Sequence, residues 1–164
     1  MGAGKTTIGR LLAARLHCPF LDLDARIVEE EGRTIPEIFE RSGEAYFRDR
    51  ESEALCAALQ ATEGKAAVIA TGGGIVEREE NRRLLKEKAF VVWCDAPPEV
   101  LAKRVAGDRN RPLLKGVDVL ARMKELHARR RAWYREVARF VLDVARLSPP
   151  QAVERILQAM ERNG

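Results

Sequence analysis

Gly2-Ala-Gly-Lys-Thr-Thr7, followed at once by Ile8-Gly-Arg-Leu-Leu-Ala13, is the stretch on which the fold turns. Glycines let backbone N–H groups turn inward around phosphate oxygens, and a lysine beside them neutralises the β and γ oxygens of a nucleotide. A threonine directly after that lysine supplies a hydroxyl to Mg²⁺. Ile8, Leu11, Leu12 and Leu16 keep helical spacing, so a helix should follow and aim its positive end at the anion. The stretch reads as a phosphate-binding loop, with Gly2, Ala3, Gly4, Lys5, Thr6 and Thr7 as nucleotide contacts and Thr6 as a metal ligand. A full loop of this kind asks for a further glycine two places before Met1 and a β-strand before that. Without them, a slot in the sheet with exposed apolar neighbours is expected. Lower stability and impaired turnover relative to a chain extended upstream are expected as well.

Working outward, short β-rich runs alternate with helical patterns, which implies an α/β fold with a parallel sheet between helices, a three-layer sandwich. The expected strands are Phe20–Leu23, Ala66–Thr71, Ala89–Cys94 and Phe140–Val144, continuous apolar runs of the kind buried on both faces. Thr34-Ile-Pro-Glu37 has the form of a capping box with proline in the first turn, launching a short helix through Phe39. A longer helix is expected over residues 44–59. Another starts at Pro97-Pro98, with Val100, Leu101 and Val105 facing inward. Val153, Ile156, Leu157 and Met160 mark an amphipathic C-terminal helix. Residues 107–117 contain a polar segment, GDRNRPLLKG, that reads as a surface loop or a lid.

Three further groups carry chemistry. Leu21-Asp22-Leu23-Asp24 ends the first visible strand, and strand alternation would put both carboxylates on one side, at the carboxyl end where open α/β sheets bind ligands. Two acids there suit Mg²⁺ and a nucleophilic hydroxyl, although Asp24 would equally serve as a helix cap. Gly72-Gly-Gly74 follows another strand, and three consecutive glycines fit close approach of a ligand to bare backbone. Arg48, Arg109, Arg111 and the run Arg129–Arg131 offer guanidinium forks for carboxylates and phosphates. Spacing alone does not choose among them.

Composition narrows the classes. At 164 residues the chain fits a single domain over 1–164. Charged residues are 33% and hydrophobic ones 46%, a globular balance, and no apolar run is long enough for a membrane span. A net charge of +4 with 5% aromatics favours small anions over nucleic acid, since stacking platforms are scarce. Three separated cysteines and two histidines suit neither a disulfide framework nor a zinc site and point to the cytoplasm.

Taken together, GAGKTTIGRLLA, LDLDARI, GRTIPEIFERSGEAYFRDRE, TGGGIV, RNRPLL and RRAWYREVA resemble, in this order along nearly the whole chain, the shikimate kinase family of the nucleoside-monophosphate-kinase-like P-loop group. The resemblance implies ATP-dependent phosphorylation of the 3-hydroxyl of shikimate by a monomer, with a substrate-binding helical segment at about 25–60 and a lid at about 107–117. It implies that Gly2–Thr7 hold the ATP phosphates, that Lys5 stabilises the transferring group, and that Thr6 and Asp22 serve Mg²⁺. Asp24 would bond the attacking hydroxyl. Arg48 and Arg130 would grip the substrate carboxylate, Gly72, Gly73 and Gly74 would offer backbone N–H groups, and Arg111 would close over the nucleotide. One departure stands out. Relatives carry an R-x-P-L-Y pattern where this chain has Arg130-Arg-Ala-Trp-Tyr134, so Arg130 is matched by its distance to the tyrosine, with Arg129 and Arg131 as alternatives. A gluconate-kinase-like enzyme of the same fold, or a catalytically impaired homologue, is the other reading.

Overall fold

The computed structural model describes residues 4–105 and 118–163. The expected lid with Arg109 and Arg111, and the loop residues Gly2 and Ala3, lie outside the described residues. Helix α1 (Lys5–Leu16) begins after Gly4, whose φ of 72° is a left-handed conformation that only glycine adopts without strain. Ile8 and Leu12 are buried as their spacing requires, while Leu11 is on the exposed side.

Strand β1 (Phe20–Asp22) leads directly into α2 (Leu23–Glu31), and α3 (Ile35–Ser42) and α4 (Glu44–Ala61) follow. Thr34 caps α3: the Glu37 amide donates to the Thr34 hydroxyl at 3.3 Å, and that hydroxyl donates to the Glu37 carboxylate at 3.1 Å, a side-chain pair at the positions of the expected box. Strand β2 (Val68–Ala70) precedes a 3-10 turn at Gly73–Glu77 and helix α5 (Glu79–Lys88). Strand β3 (Val92–Asp95), α6 (Pro98–Val105), α7 (Val119–Val137), β4 (Phe140–Asp143) and α8 (Pro149–Asn163) complete the described chain. Apolar residues of α1, α6, α7, β4 and α8 form one buried cluster; those of α2, α3, α4, the 3-10 turn, α5 and the end of α7 form a second.

The strands are parallel, as expected, but they form two separate pairs. β1 pairs with β2, Leu21 opposite Ile69, and β3 pairs with β4, Cys94 opposite Leu142. No hydrogen-bonded ladder joins β2 to β3. Between them lies a cavity of about 580 Å³, lined by Val68, Ile69, Val92 and Trp93 and by Ile8, Leu12 and Leu16 of α1. This is the slot the loop motif anticipates. The structure also corrects the expectation of strands buried on both faces: β1, β2 and β3 are only half-buried along their length, and in β4 Leu142 is buried while Val141 is half-exposed; β2 and β3 border the cavity.

Candidate active site

The carboxyl ends of the strands and the start of α1 converge on one region. At α1, Gly4 leaves the first-turn N–H groups without a side-chain cap, and no acidic residue sits in that turn. The positive helix end is therefore open to an anion, as a phosphate-binding loop requires. Thr6 lies on this turn, and its hydroxyl donates to Asp22 Oδ2 at 3.4 Å. A hydroxyl and a carboxylate at that separation would offer two hard oxygens to Mg²⁺. Asp22 Oδ1 accepts from the Ala25 amide at 3.1 Å, so the same side chain caps α2 and is held in place.

This geometry corrects the reading of Leu21–Asp24 as strand. The strand ends at Asp22, and Asp24 sits in the first turn of α2. The helix starts one residue after the carboxylate that caps it, so strand alternation does not govern Asp24, and Asp22 rather than Asp24 is the cap. The two acids consequently serve different places. Asp22 faces Thr6, whereas the Asp24 carboxylate lies 3.1 Å and 3.2 Å from where a Cβ on Gly72 would be.

The glycine triplet organises the rest. Gly72 has φ −70° and ψ 158°, which any residue adopts, and none of the three glycines has positive φ. Their need is for room. A side chain at Gly72 would meet Asp24; at Gly73 it would meet Tyr134 Oη at 2.9 Å and Arg130 Nη1 at 3.2 Å; at Gly74 it would run into the Arg48 guanidinium. Bare backbone therefore lets two carboxylates, Asp24 and Glu51, and two guanidinium groups crowd a single turn. What approaches it in this structure is the protein's own polar side chains.

Both arginines are buried and both are held by acids. Arg48, on α4, is 8% exposed; its Nη1 donates to Glu51 Oε1 at 2.7 Å. Glu51 is 1% exposed, and burial pushes its carboxyl up, with the charge of Asp24 adding to the rise and Arg48 opposing it. Burial tends to lower Arg48, but the charge and hydrogen bond of Glu51 outweigh it and hold the guanidinium above its ordinary value. Arg130, on α7, is 3% exposed, while Arg129 and Arg131 are exposed. Of the three consecutive arginines, Arg130 is the one that lies against a glycine of the turn, while Arg129 reaches Glu77 at the turn's far end.

Tyr134, one helical turn beyond Arg130, donates its hydroxyl to the Gly73 carbonyl oxygen at 2.8 Å. Burial pushes the Tyr134 phenol up, with Arg130 opposing, so it remains a donor at neutral pH. Lys5, Gly72, Gly73, Arg130 and Tyr134 line the upper part of the cavity that separates the strand pairs. Glu51 stands in the GExxFRxxE run, but its pairing with Arg48 was not assigned from sequence. Glu77, which pairs with Arg130, lies in no motif.

The chain matches the family model for shikimate kinase over residues 1–161. It is 46% identical to the shikimate kinase of Dechloromonas aromatica, covering 99% of this chain and 87% of that protein. It is 43% identical to the shikimate kinase of Symbiobacterium thermophilum, covering 100% of this chain and 94% of that one. Among solved structures, the shikimate kinase of Acinetobacter baumannii in complex with shikimate superposes with a TM-score of 0.94 at 40% identity, covering 99% of this chain and 89% of the other. That of Aquifex aeolicus superposes with a TM-score of 0.85 at 37% identity, covering 99% and 93%. These likenesses carry the three-layer α/β/α, P-loop architecture expected from the sequence. With the family model matching residues 1–161 and its relatives covered above two-thirds of their length, the chain belongs to the shikimate kinase family.

Proposed function

We propose that this chain transfers the γ-phosphoryl group of ATP to the 3-hydroxyl of shikimate, with Arg48 and Arg130 gripping the carboxylate and Asp24 receiving the hydroxyl. The observation that carries this reading is the glycine turn, with an acid at Gly72 and a guanidinium at each of Gly73 and Gly74. One end of that turn suits a hydroxyl and the other a carboxylate, which is the polarity of a small hydroxylated ring acid. Buried, acid-braced guanidinium groups lose little freedom on binding and match a carboxylate fork to fork.

Phosphoryl transfer asks mainly for positioning and charge neutralisation. Lys5 and the uncapped amides after Gly4 would neutralise the phosphates. Thr6 and Asp22 would hold Mg²⁺, which when bound draws negative charge from the phosphate oxygens. Asp24 orients the attacking oxygen and accepts its proton, a role suited to a carboxylate beside bare backbone. Arg111 is carried over from the family motif as the residue that closes over the nucleotide. The reading extends to a monomeric, cytoplasmic enzyme that needs neither nucleic acid nor membrane. Among the described residues no helix is long and apolar enough to cross a bilayer.

A coupled ADP-release assay against shikimate, gluconate and nucleoside monophosphates tests the assignment. Turnover should depend on shikimate and stay at background with the others. Equal turnover with gluconate would replace the substrate, and ADP release independent of any acceptor would remove the kinase reading.

A further inference from the structure

Arg130 is held from behind by an acid that no motif announces. Its Nε donates to Glu77 Oε2 at 2.8 Å, and its Nη2 lies 2.7 Å from the same oxygen. The other carboxylate oxygen, Oε1, accepts from Arg129 Nη2. The Glu77 and Arg130 side chains are 9% and 4% exposed, whereas the Arg129 side chain is 51% exposed. Glu77 closes the 3-10 turn that begins at Gly73, so it is built on the same short element as the glycines that the arginines approach.

We propose that Glu77 is a positioning residue for substrate binding: it fixes the side edge of the Arg130 guanidinium so that the opposite edge is presented at Gly73. A guanidinium has five donors in one rigid plane. With Nε and Nη2 committed to Glu77, the plane can rotate no further about its stem, and Nη1 is left 3.2 Å from the Gly73 Cβ position and beside Tyr134. Arg129 holds the second oxygen, so the carboxylate cannot swing away from Arg130 into the substrate space. Arg48 also has a buried acid beside it, but there the acid takes a different edge: Glu51 accepts from Nη1, the nitrogen that faces Gly74. Each arginine of the clamp thus has a buried acid beside it, Glu51 for Arg48 and Glu77 for Arg130. A substrate carboxylate then meets oriented donors whose charge is already partly balanced, and it does not need to reorganise them.

An ordinary structural ion pair tying α7 to the turn would show the same distances. The two roles differ in what they couple to. A structural pair affects melting and all ligands alike, whereas a positioning residue acts on shikimate through Arg130 and on nothing else.

This inference rests on Arg130 being part of the shikimate clamp, and the experiment separates the two. Shikimate and ATP affinities are measured by calorimetry, with melting temperature alongside, for Glu77→Gln, Arg130→Ala and the double variant. Glu77→Gln keeps the shape of the side chain and one acceptor, so the fold should survive. Shikimate affinity should fall by roughly fivefold, with ATP affinity unchanged, since a charged hydrogen bond becomes a neutral one. On the Arg130→Ala background the same change should have no further effect on shikimate. Unchanged shikimate affinity in Glu77→Gln, with Arg130→Ala strongly weakened, would overturn the role of Glu77 and leave the clamp standing. Equal weakening in both backgrounds, or parallel loss of ATP affinity, would also overturn it. If Arg130→Ala itself left shikimate affinity intact, the clamp would fail and the positioning role with it.

Discussion

The hydroxyl of Tyr134 donates to the Gly73 carbonyl oxygen at 2.8 Å, a bond between a helix and a glycine turn separated by 61 positions in sequence. The Trp93 ring packs 5.3 Å from the Tyr134 ring and keeps the phenol in place from the side of β3. Through this one contact, the helix that carries Arg130 is registered against the turn that receives it. Tyr134→Phe removes the donor and leaves the Gly73 carbonyl without it. Stability should fall by about 1 kcal/mol, read by urea denaturation. Shikimate affinity should weaken by a few-fold, since Arg130 sits on the same helical face.

Gly74 faces Arg48 so closely that any Cβ collides with the guanidinium. The guanidinium is the end of a long side chain, but it is buried and held by Glu51, so it can yield only by leaving its partner. Gly74→Ala should therefore preserve the fold while weakening shikimate binding by about 10- to 100-fold, the scale of an ångström-level misplacement of a binding group. Circular dichroism and calorimetry read the two effects separately, and unaltered shikimate affinity would show that the space at Gly74 is not needed by the clamp.

Asp24 approaches Gly72, on the opposite end of the triplet from the arginines. Asp24→Asn keeps the size of the side chain but not its ability to take a proton. Turnover should fall by roughly 10²- to 10⁴-fold, while ATP binding should be retained because the groups proposed to face the phosphates lie on α1. Turnover within a few-fold of the parent would take Asp24 out of the chemistry.

Glu51 gives the protein a pH signature. Burial holds its folded pKa above the ordinary 4.5. In the window between 4.5 and that raised value, the folded chain keeps a proton that the unfolded chain has lost. Glu51's contribution to stability is therefore fully present below 4.5, where it adds no pH dependence, falls as pH rises through the window, and levels off above it. Glu31 and Glu136, held below the usual carboxylate range by Arg33 and Lys86 respectively, act in the opposite sense. Their stabilisation is present above 4.5 and is lost as pH drops through their lowered values. The melting temperature of the parent relative to Glu51→Gln should thus decline with rising pH from 4.5 upward, with the low-pH loss common to both. Parallel profiles across that range would contradict a raised Glu51.

Much of this was legible from residue order, and the reasons are local. The helix after Gly4, the capping box at Thr34 and the long helix from Glu44 follow from spacing and caps, which act within a turn or two. The slot beside β2 and β3 was legible because a loop motif implies the strand that feeds it. Helices α5 and α7 carry weaker signals, as seven of the ten residues of α5 are charged and α7 carries several arginines, among them the buried Arg130. The triplet Gly72–Gly74 was read as making way for a ligand. What crowds it is Asp24, Glu51, Arg130, Tyr134 and Arg48, which arrive from distant parts of the chain. Glu77 was invisible for the same reason: its partners Arg129 and Arg130 lie more than fifty positions away, and no spacing rule connects them.

The most direct test of the clamp is the position of shikimate in a crystal of this protein. Its carboxylate should lie within hydrogen-bond distance of both Arg48 and Arg130, with the 3-hydroxyl at Asp24. A carboxylate bound away from both guanidinium groups, or a ring reversed so that Asp24 faces the acid, would contradict the account.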